Sequence, residues 1–70
     1  MSPAHLRAKH RVTVHRMALD LGCTVADVHA LERTELPSWK LRDLARYVGA
    51  LGYAVRIVAV NAHGRETELA

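Results

Sequence analysis

The sequence predicts a mainly α fold, in which four helices are followed by a short C-terminal β-hairpin. Apolar residues recur three and four positions apart through residues 3–52, which is typical of amphipathic helices. After Gly52 the pattern changes to the alternation of a β-strand. Residues 1–70 are therefore expected to form one small domain, with helices over 3–52 and a hairpin over 53–69. A core of this size is thin, so a partner subunit would help to stabilise it.

The first helix is expected over residues 3–11. Ser2 can cap its start, and Pro3 suits the first turn because it needs no free backbone N–H. Leu6 is expected to face inward and the basic residues to face outward.

Two short helices joined by a tight turn are expected between Val14 and Arg33. Thr13 caps the first, residues 14–21, whose inward face is formed by Met17, Ala18 and Leu21. Gly22 ends this helix, because a helix end favours a residue that accepts positive φ.

The turn continues through Cys23, which we expect to be a small buried apolar residue in a reducing compartment. Thr24 caps the second helix of the pair, residues 25–33, in which Val28 and Leu31 point inward. This arrangement resembles the helix-turn-helix of DNA-binding regulators.

A loop over residues 34–38 contains Pro37 and precedes a fourth helix that Ser38 is expected to cap. The helix carries a clear apolar stripe and ends at Gly52. The stripe consists of Leu41, Leu44, Ala45, Val48 and Leu51.

Residues 53–60 alternate as a strand that is rich in branched side chains, and both of its faces are fairly apolar. Residues 61–64 form a plausible turn, and residues 65–69 return as a second strand. Because an isolated hairpin is marginal in water, it must either pack on the helices or pair with a second copy, and the two apolar faces favour a sheet shared across a dimer. The expected interface residues are Tyr53, Val55, Ile57 and Val58.

The positive charge of the chain is concentrated at one end. Residues 1–16 hold four basic residues and no acidic one, whereas the remaining 54 residues hold six basic against seven acidic residues. This distribution favours a polyanion bound near the N-terminal end. No apolar run could cross a bilayer and no signal-peptide core is present, so we expect a soluble cytoplasmic protein.

Several functional classes find no support. There is no glycine-rich phosphate loop and no nucleophile–base pair, which argues against an enzyme and against a cofactor. His5, His10 and His15 are spaced so that successive side chains lie about 140° apart on a helix, so a shared metal ion is not expected. Trp39 is expected to plug the core edge rather than stack on a nucleotide, and Tyr47 to be either partly buried or at a dimer contact.

The resemblance extends beyond the two-helix motif. Thr13 is followed by MALDLG, TVADVHALER and LRDLARYVGALG, which resembles the small Cro/phage-repressor (Xre-type) regulators. The ending RYVGALGYAVRIVAV, a turn and Gly64-Arg65 resemble the subset that closes with a β-hairpin, many of which are antitoxins or autoregulators of toxin–antitoxin operons.

This resemblance implies that the third helix lies in the major groove and that the second crosses the phosphate backbone. Val25 and Ala26 could contact thymine methyl groups, Asp27 could accept from cytosine or favour the helix dipole, and His29 could donate to guanine or phosphate. Arg33 is the only guanidinium on this helix. The implied base-reading positions are Thr24, Val25, Ala26, Asp27, His29, Ala30 and Arg33. The candidate phosphate contacts are Arg7, Lys9, Arg11, Arg16 and Lys40.

Two functions remain open at this point. The first is a dimeric transcriptional repressor, or an antitoxin-like autoregulator, that binds double-stranded DNA sequence-specifically. The second is a degenerate helix-turn-helix module that binds a protein partner, such as a toxin, through the C-terminal strand. Charge placement and the intact motif favour the first.

Overall fold

Local capping determines where the first three helices begin. The structure, a computed structural model, describes all 70 residues. The Ser2 hydroxyl accepts from the His5 N–H at 3.2 Å, and the Thr13 hydroxyl accepts from the Arg16 N–H at 3.1 Å. These caps begin helices α1 (Pro3–Lys9) and α2 (Val14–Leu21), while Thr24 begins α3 (Val25–Arg33). The predicted bounds of α2 and α3 are confirmed.

The first helix is shorter than predicted. Arg11 adopts a φ of 57°, so residues 10 and 11 leave the helix and turn the chain toward α2. The N–H of Val12 bonds back to the Arg7 carbonyl at 3.2 Å and closes the helix end. Arg11 thus takes the left-handed position at a helix end that glycine usually occupies. Gly22, with a φ of 68°, ends α2 in the same left-handed conformation, as predicted.

The start of the fourth helix differs from the prediction. Leu36–Ser38 form a 3-10 turn, in which the Ser38 N–H bonds to the Glu35 carbonyl at 2.9 Å. Ser38 therefore closes this turn instead of capping α4, which spans Leu41–Ala50 and has Lys40 at its cap position without a side-chain bond.

The core lies where α2, α3 and α4 meet. Its buried residues are Met17, Ala18, Val28, Tyr47 and Val48. Leu44 and Leu51 pack against them as predicted, but Leu41 is 51% exposed because it stands at the first turn of α4, beyond the core. Ala45 is also exposed.

Two aromatic residues close one side of this core. The ring of Trp39 packs edge-on against Tyr47, with ring centroids 5.3 Å apart, and its indole N–H donates to the Thr34 carbonyl at 2.9 Å. Trp39 thus plugs the core edge, as predicted, and Tyr47 is fully buried. Cys23 is exposed, so its predicted burial is wrong: the turn carries it outward.

The chain ends in an antiparallel hairpin of β1 (Val58–Val60) and β2 (Glu66–Glu68). Ala59 pairs with Thr67 at its centre. The Asn61 side chain accepts from the N–H groups of His63 and Arg65, at 2.9 and 3.0 Å, which shapes the turn. The strands are shorter than predicted because residues 53–56 have no strand partner. The predicted mainly α fold with a C-terminal hairpin is nevertheless confirmed.

The molecule measures 43 × 21 × 19 Å, and residues 59–70 of the hairpin are exposed throughout. The hairpin therefore extends from the helices as an arm. None of the helices has the length and apolar character that crossing a membrane requires.

Candidate nucleic-acid interface

The second and third helices form a bihelical unit around a close contact. Met17 and Ala18 of α2 and Val28 of α3 are all buried in the same cluster. The Cys23 N–H bonds to the Ala18 carbonyl at 3.0 Å, which holds the turn against the end of α2. Because one face of α3 is buried in this way, the opposite face is left to solvent.

That outer face carries few polar groups. Ala26, His29, Ala30 and Arg33 are exposed, as their proposed base contacts require. The side chains of His29 and Arg33 have no hydrogen-bond or ion-pair partner within the protein, so both are available to a ligand. We define Ala26, His29, Ala30 and Arg33 as the reading face.

Three other predicted base-reading residues also have structural roles. Val25 is half-buried and packs against the core, which leaves only part of its side chain for a thymine methyl group. Thr24 and Asp27 form a capping box: the Thr24 hydroxyl accepts from the Asp27 N–H at 3.1 Å, and the Asp27 carboxylate accepts from the Thr24 N–H at 3.0 Å. The hydrogen bond from the Thr24 backbone holds the pKa of Asp27 below its usual range.

Arg7 does not fit its predicted role as a phosphate contact. Its Nε and Nη2 atoms donate to the two carboxylate oxygens of Glu32, at 2.7 and 3.1 Å. The third nitrogen, Nη1, donates to the Val12 carbonyl at 2.8 Å. Only 16% of the Arg7 side chain and 9% of the Glu32 side chain are exposed. The expectation that α1 turns all its basic residues outward is therefore wrong for Arg7.

Tyr47 completes this cluster by donating its hydroxyl hydrogen to Glu32 Oε2. Burial opposes the charge on Glu32, but the hydrogen bonds from Arg7 and Tyr47 outweigh it and hold the pKa of the carboxyl below its usual range. Burial and the bond to Glu32 raise the pKa of Tyr47. We name Arg7, Glu32 and Tyr47 the anchor cluster.

The other predicted phosphate contacts lie on the surface. Lys9, Arg11 and Lys40 are exposed and form no ion pair within the chain. Arg16 is exposed as well, and its Nε lies 3.2 Å from the carboxylate of Asp20 one turn later in α2. An exposed pair of this kind is weak and leaves Arg16 able to exchange partners.

Arg42 is a further candidate phosphate contact that sequence reasoning did not single out. It is exposed in the first turn of α4, near Lys40, and lies 3.9 Å from Asp43. The sequence signal that could have identified it is its place two residues after Lys40, at the start of a predicted helix. Arg46 is different, because its guanidinium donates to the Leu21 carbonyl at 2.6 Å and ties α4 to the end of α2.

The predicted dimer residues divide into two pairs. Tyr53 and Val55 attach the arm to its own helices: the Tyr53 hydroxyl lies 2.7 Å from His10 Nε2, and Val55 packs against the core. Ile57 and Val58 are half-buried. Val60 and Leu69, which the predicted interface did not include, are 59% and 67% exposed on the hairpin.

The first strand of the hairpin has an unpaired edge. The N–H groups of Ile57 and Asn61 bond to the returning strand, at Ala70 and Arg65, over 2.8 and 2.9 Å. In an antiparallel pair the alternate residues, Val58 and Val60, turn their backbone groups to the other side. That edge is open to another strand.

A bihelical unit with one exposed helix face and basic side chains around it defines the helix-turn-helix class of protein. No protein-family model matches the chain, and no curated protein sequence does. Among solved structures, it is similar to a HigA antitoxin described for induced DNA bending by unique dimerisation. The TM-score is 0.85 and the identity 33%, over 97% of this chain and 90% of that one.

A DNA-bound antitoxin HigA3 gives a TM-score of 0.85 at 32% identity, over 96% of this chain and 86% of that one. The chain belongs to the family of HigA antitoxins.

Proposed function

We propose that the chain is a dimeric, sequence-specific DNA-binding regulator of the Xre type, an antitoxin that represses its own operon in the cytoplasm. The observation that carries the proposal is the reading face of α3, with His29 and Arg33 unpartnered and exposed basic residues beside it. The similarity to a DNA-bound antitoxin supports it. We propose no enzymatic activity.

The reading face would lie in the major groove and specify few bases. Arg33 suits guanine, because a guanidinium can donate to two acceptors on that base, and such a contact is worth about 1–3 kcal/mol of discrimination. His29 would donate to guanine or to phosphate. Ala26 and Ala30 offer only methyl groups, so they suit thymine or leave room for water.

Most of the affinity would come from phosphate contacts. The residues proposed for them are Lys9, Arg11, Arg16, Lys40 and Arg42. Log affinity falls as log salt rises, and each phosphate neutralised makes this slope steeper by about 0.9. Arg7 is left out, because its guanidinium is held by Glu32 and Val12.

The open edge of β1 would join two copies. Pairing through Val58 and Val60 would extend the hairpin into a four-stranded sheet, and it would cover apolar side chains that are exposed in one chain. The two copies of α3 would then reach successive major grooves about 34 Å apart on a near-palindromic site. The similarity to an antitoxin described for its dimerisation supports a dimer.

A second candidate function is favoured by the same open edge. A strand from a protein partner, such as a toxin, could pair with β1 in place of a second copy. The chain would then be a protein-interaction module that keeps the helix-turn-helix fold.

Fluorescence anisotropy distinguishes the two functions. The protein is titrated onto its own upstream DNA and onto a scrambled duplex over a salt series. A preference of about a thousandfold for upstream DNA at physiological salt is expected of a specific regulator. Equal, weak binding to both duplexes that disappears with salt would contradict it and favour the protein-interaction module.

A further inference from the structure

The anchor cluster is the place where three helices meet through polar side chains. Arg7 comes from α1, Glu32 from the last turn of α3, and Tyr47 from α4. Apart from the Tyr47 hydroxyl, the side chains of the buried core are apolar. Apolar side chains tolerate small sliding, whereas a guanidinium–carboxylate fork has a defined geometry.

The fork fixes α3 in more than one direction. Two bonds, at 2.7 and 3.1 Å, join the Arg7 and Glu32 side chains, and the Tyr47 hydroxyl of α4 donates to Glu32 Oε2, which also accepts from Arg7 Nε. The remaining Arg7 nitrogen holds the Val12 carbonyl, just before α2 begins. One guanidinium thus relates the end of α3 to the start of α2.

The cluster adjoins the two polar residues of the reading face. Glu32 is the residue before Arg33 and lies three positions, nearly one turn, after His29. The same helix end is also held by the Trp39 indole, which donates to the Thr34 carbonyl at 2.9 Å. A rotation of α3 released at Glu32 would displace His29 and Arg33, whereas the capping box at the other end would remain intact.

We propose that Arg7, Glu32 and Tyr47 are positioning residues for base recognition. They set the angle of α3 against α1 and α2, so that His29 and Arg33 meet the base edges, and they do not contact DNA themselves. Recognition sites require their groups to be held within about 0.5 Å and 10–20°. The inference depends on the proposed DNA-binding function.

A cluster that only stabilised the fold would leave the folded protein's base preference unchanged. Two variants of different severity separate these roles. Arg7→Lys keeps the charge but cannot form the fork, and Tyr47→Phe keeps the buried ring but removes the hydroxyl donor. Leu51→Ala serves as the control, because it thins the same core at the end of α4 without removing a hydrogen bond of the anchor cluster.

The experiment is the anisotropy titration on upstream and scrambled duplexes, at a temperature where circular dichroism shows each variant folded. Arg7→Lys is expected to lower affinity for the upstream site by about tenfold, the loss that follows when one base contact is misplaced. Tyr47→Phe is expected to lower the affinity for the upstream site by a smaller factor. Leu51→Ala is expected to keep the wild-type preference for upstream over scrambled DNA. Affinity for the scrambled duplex and the salt slope are expected to stay unchanged.

Three results would overturn the inference. An unchanged preference in both variants would show that the cluster has no positioning role. A loss on both duplexes, with the salt slope reduced by about one, would show that Arg7 contacts phosphate directly. A wild-type protein without preference would remove the proposed function itself, which the first two results would leave standing.

Discussion

The imidazole of His10 and the hydroxyl of Tyr53 lie 2.7 Å apart, and their rings meet edge to face with centroids 5.4 Å apart. This contact joins the end of α1 to the base of the hairpin, across 43 positions of sequence. Val55 packs against the core nearby and provides the arm's apolar attachment. The base of the arm is thus held to the helices by the His10–Tyr53 contact, by Val55 and by the backbone bond from the Tyr53 N–H to the Val48 carbonyl at 2.9 Å.

Tyr53→Phe is expected to lower the free energy of unfolding by about 0.5–1 kcal/mol, the net value of one neutral hydrogen bond. Urea titration followed by circular dichroism measures it. A double-mutant cycle with His10→Ala is the control, because residues in contact show a coupling energy. Additive losses in the cycle would mean that the bond does not stabilise the protein.

Glu32→Gln is expected to destabilise the protein at pH 7 by about 3 kcal/mol, because it leaves the half-buried Arg7 charge unpaired. The folded-state pKa of Glu32 is depressed, so its stabilisation is fully present above the unfolded value, near 4.3, and is lost as pH falls through the folded value. The difference between wild type and variant, measured by urea titration, should therefore shrink below about pH 4. A constant difference down to pH 2 would contradict this prediction.

Arg11→Gly is expected to separate stability from DNA binding. Arg11 has a φ of 57°, a conformation that costs most L residues about 1 kcal/mol. Glycine removes this strain but is more flexible when unfolded, so a gain of about 0.5 kcal/mol is expected in thermal unfolding.

The same substitution removes a proposed phosphate contact. The decrease of log affinity with log salt should therefore become shallower by about one. Arg11→Asn is the matched control, because asparagine also tolerates the left-handed conformation and carries no charge. It should reproduce the loss of slope. An undiminished slope in both variants would remove Arg11 from the phosphate contacts.

Arg33→Ala and Arg16→Ala are expected to have different effects on DNA. Arg33→Ala should lower the preference for the upstream site by about 1–3 kcal/mol, because it removes the guanidinium of the reading face. Arg16→Ala should weaken binding to upstream and scrambled duplexes alike, as the loss of a phosphate contact does. The anisotropy titration measures both. Equal effects of the two substitutions on both duplexes would rule out this division of roles.

Val60→Asp is expected to convert the proposed dimer into monomers, because it places a charge at the open edge of β1 without entering the core of the chain. Light scattering measures the mass. Leu36→Asp is the matched control, since Leu36 is also an exposed apolar residue but lies on the 3-10 turn among the helices. Monomers from Leu36→Asp alone would place the interface on the helices.

The helix-turn-helix was readable from the sequence because its signals are local. Thr13, Gly22 and Thr24 each act within four residues, and they fixed the bounds of α2 and α3. The predicted start of α4 was wrong. A serine shortly before a helix looks like a cap in the sequence, and the sequence does not show that a 3-10 turn lies between the two. Ser38 lies in such a turn.

The site was harder to predict, because its assignments depend on contacts distant in sequence. Arg7 looks like any outward-facing basic residue until Glu32, 25 positions later, is brought to it. The partial burial of Val25 was not predicted either, because the family resemblance gives positions but not side-chain directions. The exposure of His29 and Arg33 was easier to predict, since a helix with one buried stripe must expose the opposite face.

The reading face also determines how this protein can diverge. Ala26, His29, Ala30 and Arg33 contribute no side chain to the core, the caps or the anchor cluster. Replacing the two alanines with glutamine or asparagine would therefore add base contacts without a structural cost beyond helix propensity. In the proposed complex, the DNA sequence that is bound would depend on a few side chains that can be exchanged without changing the fold. Duplicated genes for this protein could therefore acquire different target sequences while the fold stays the same.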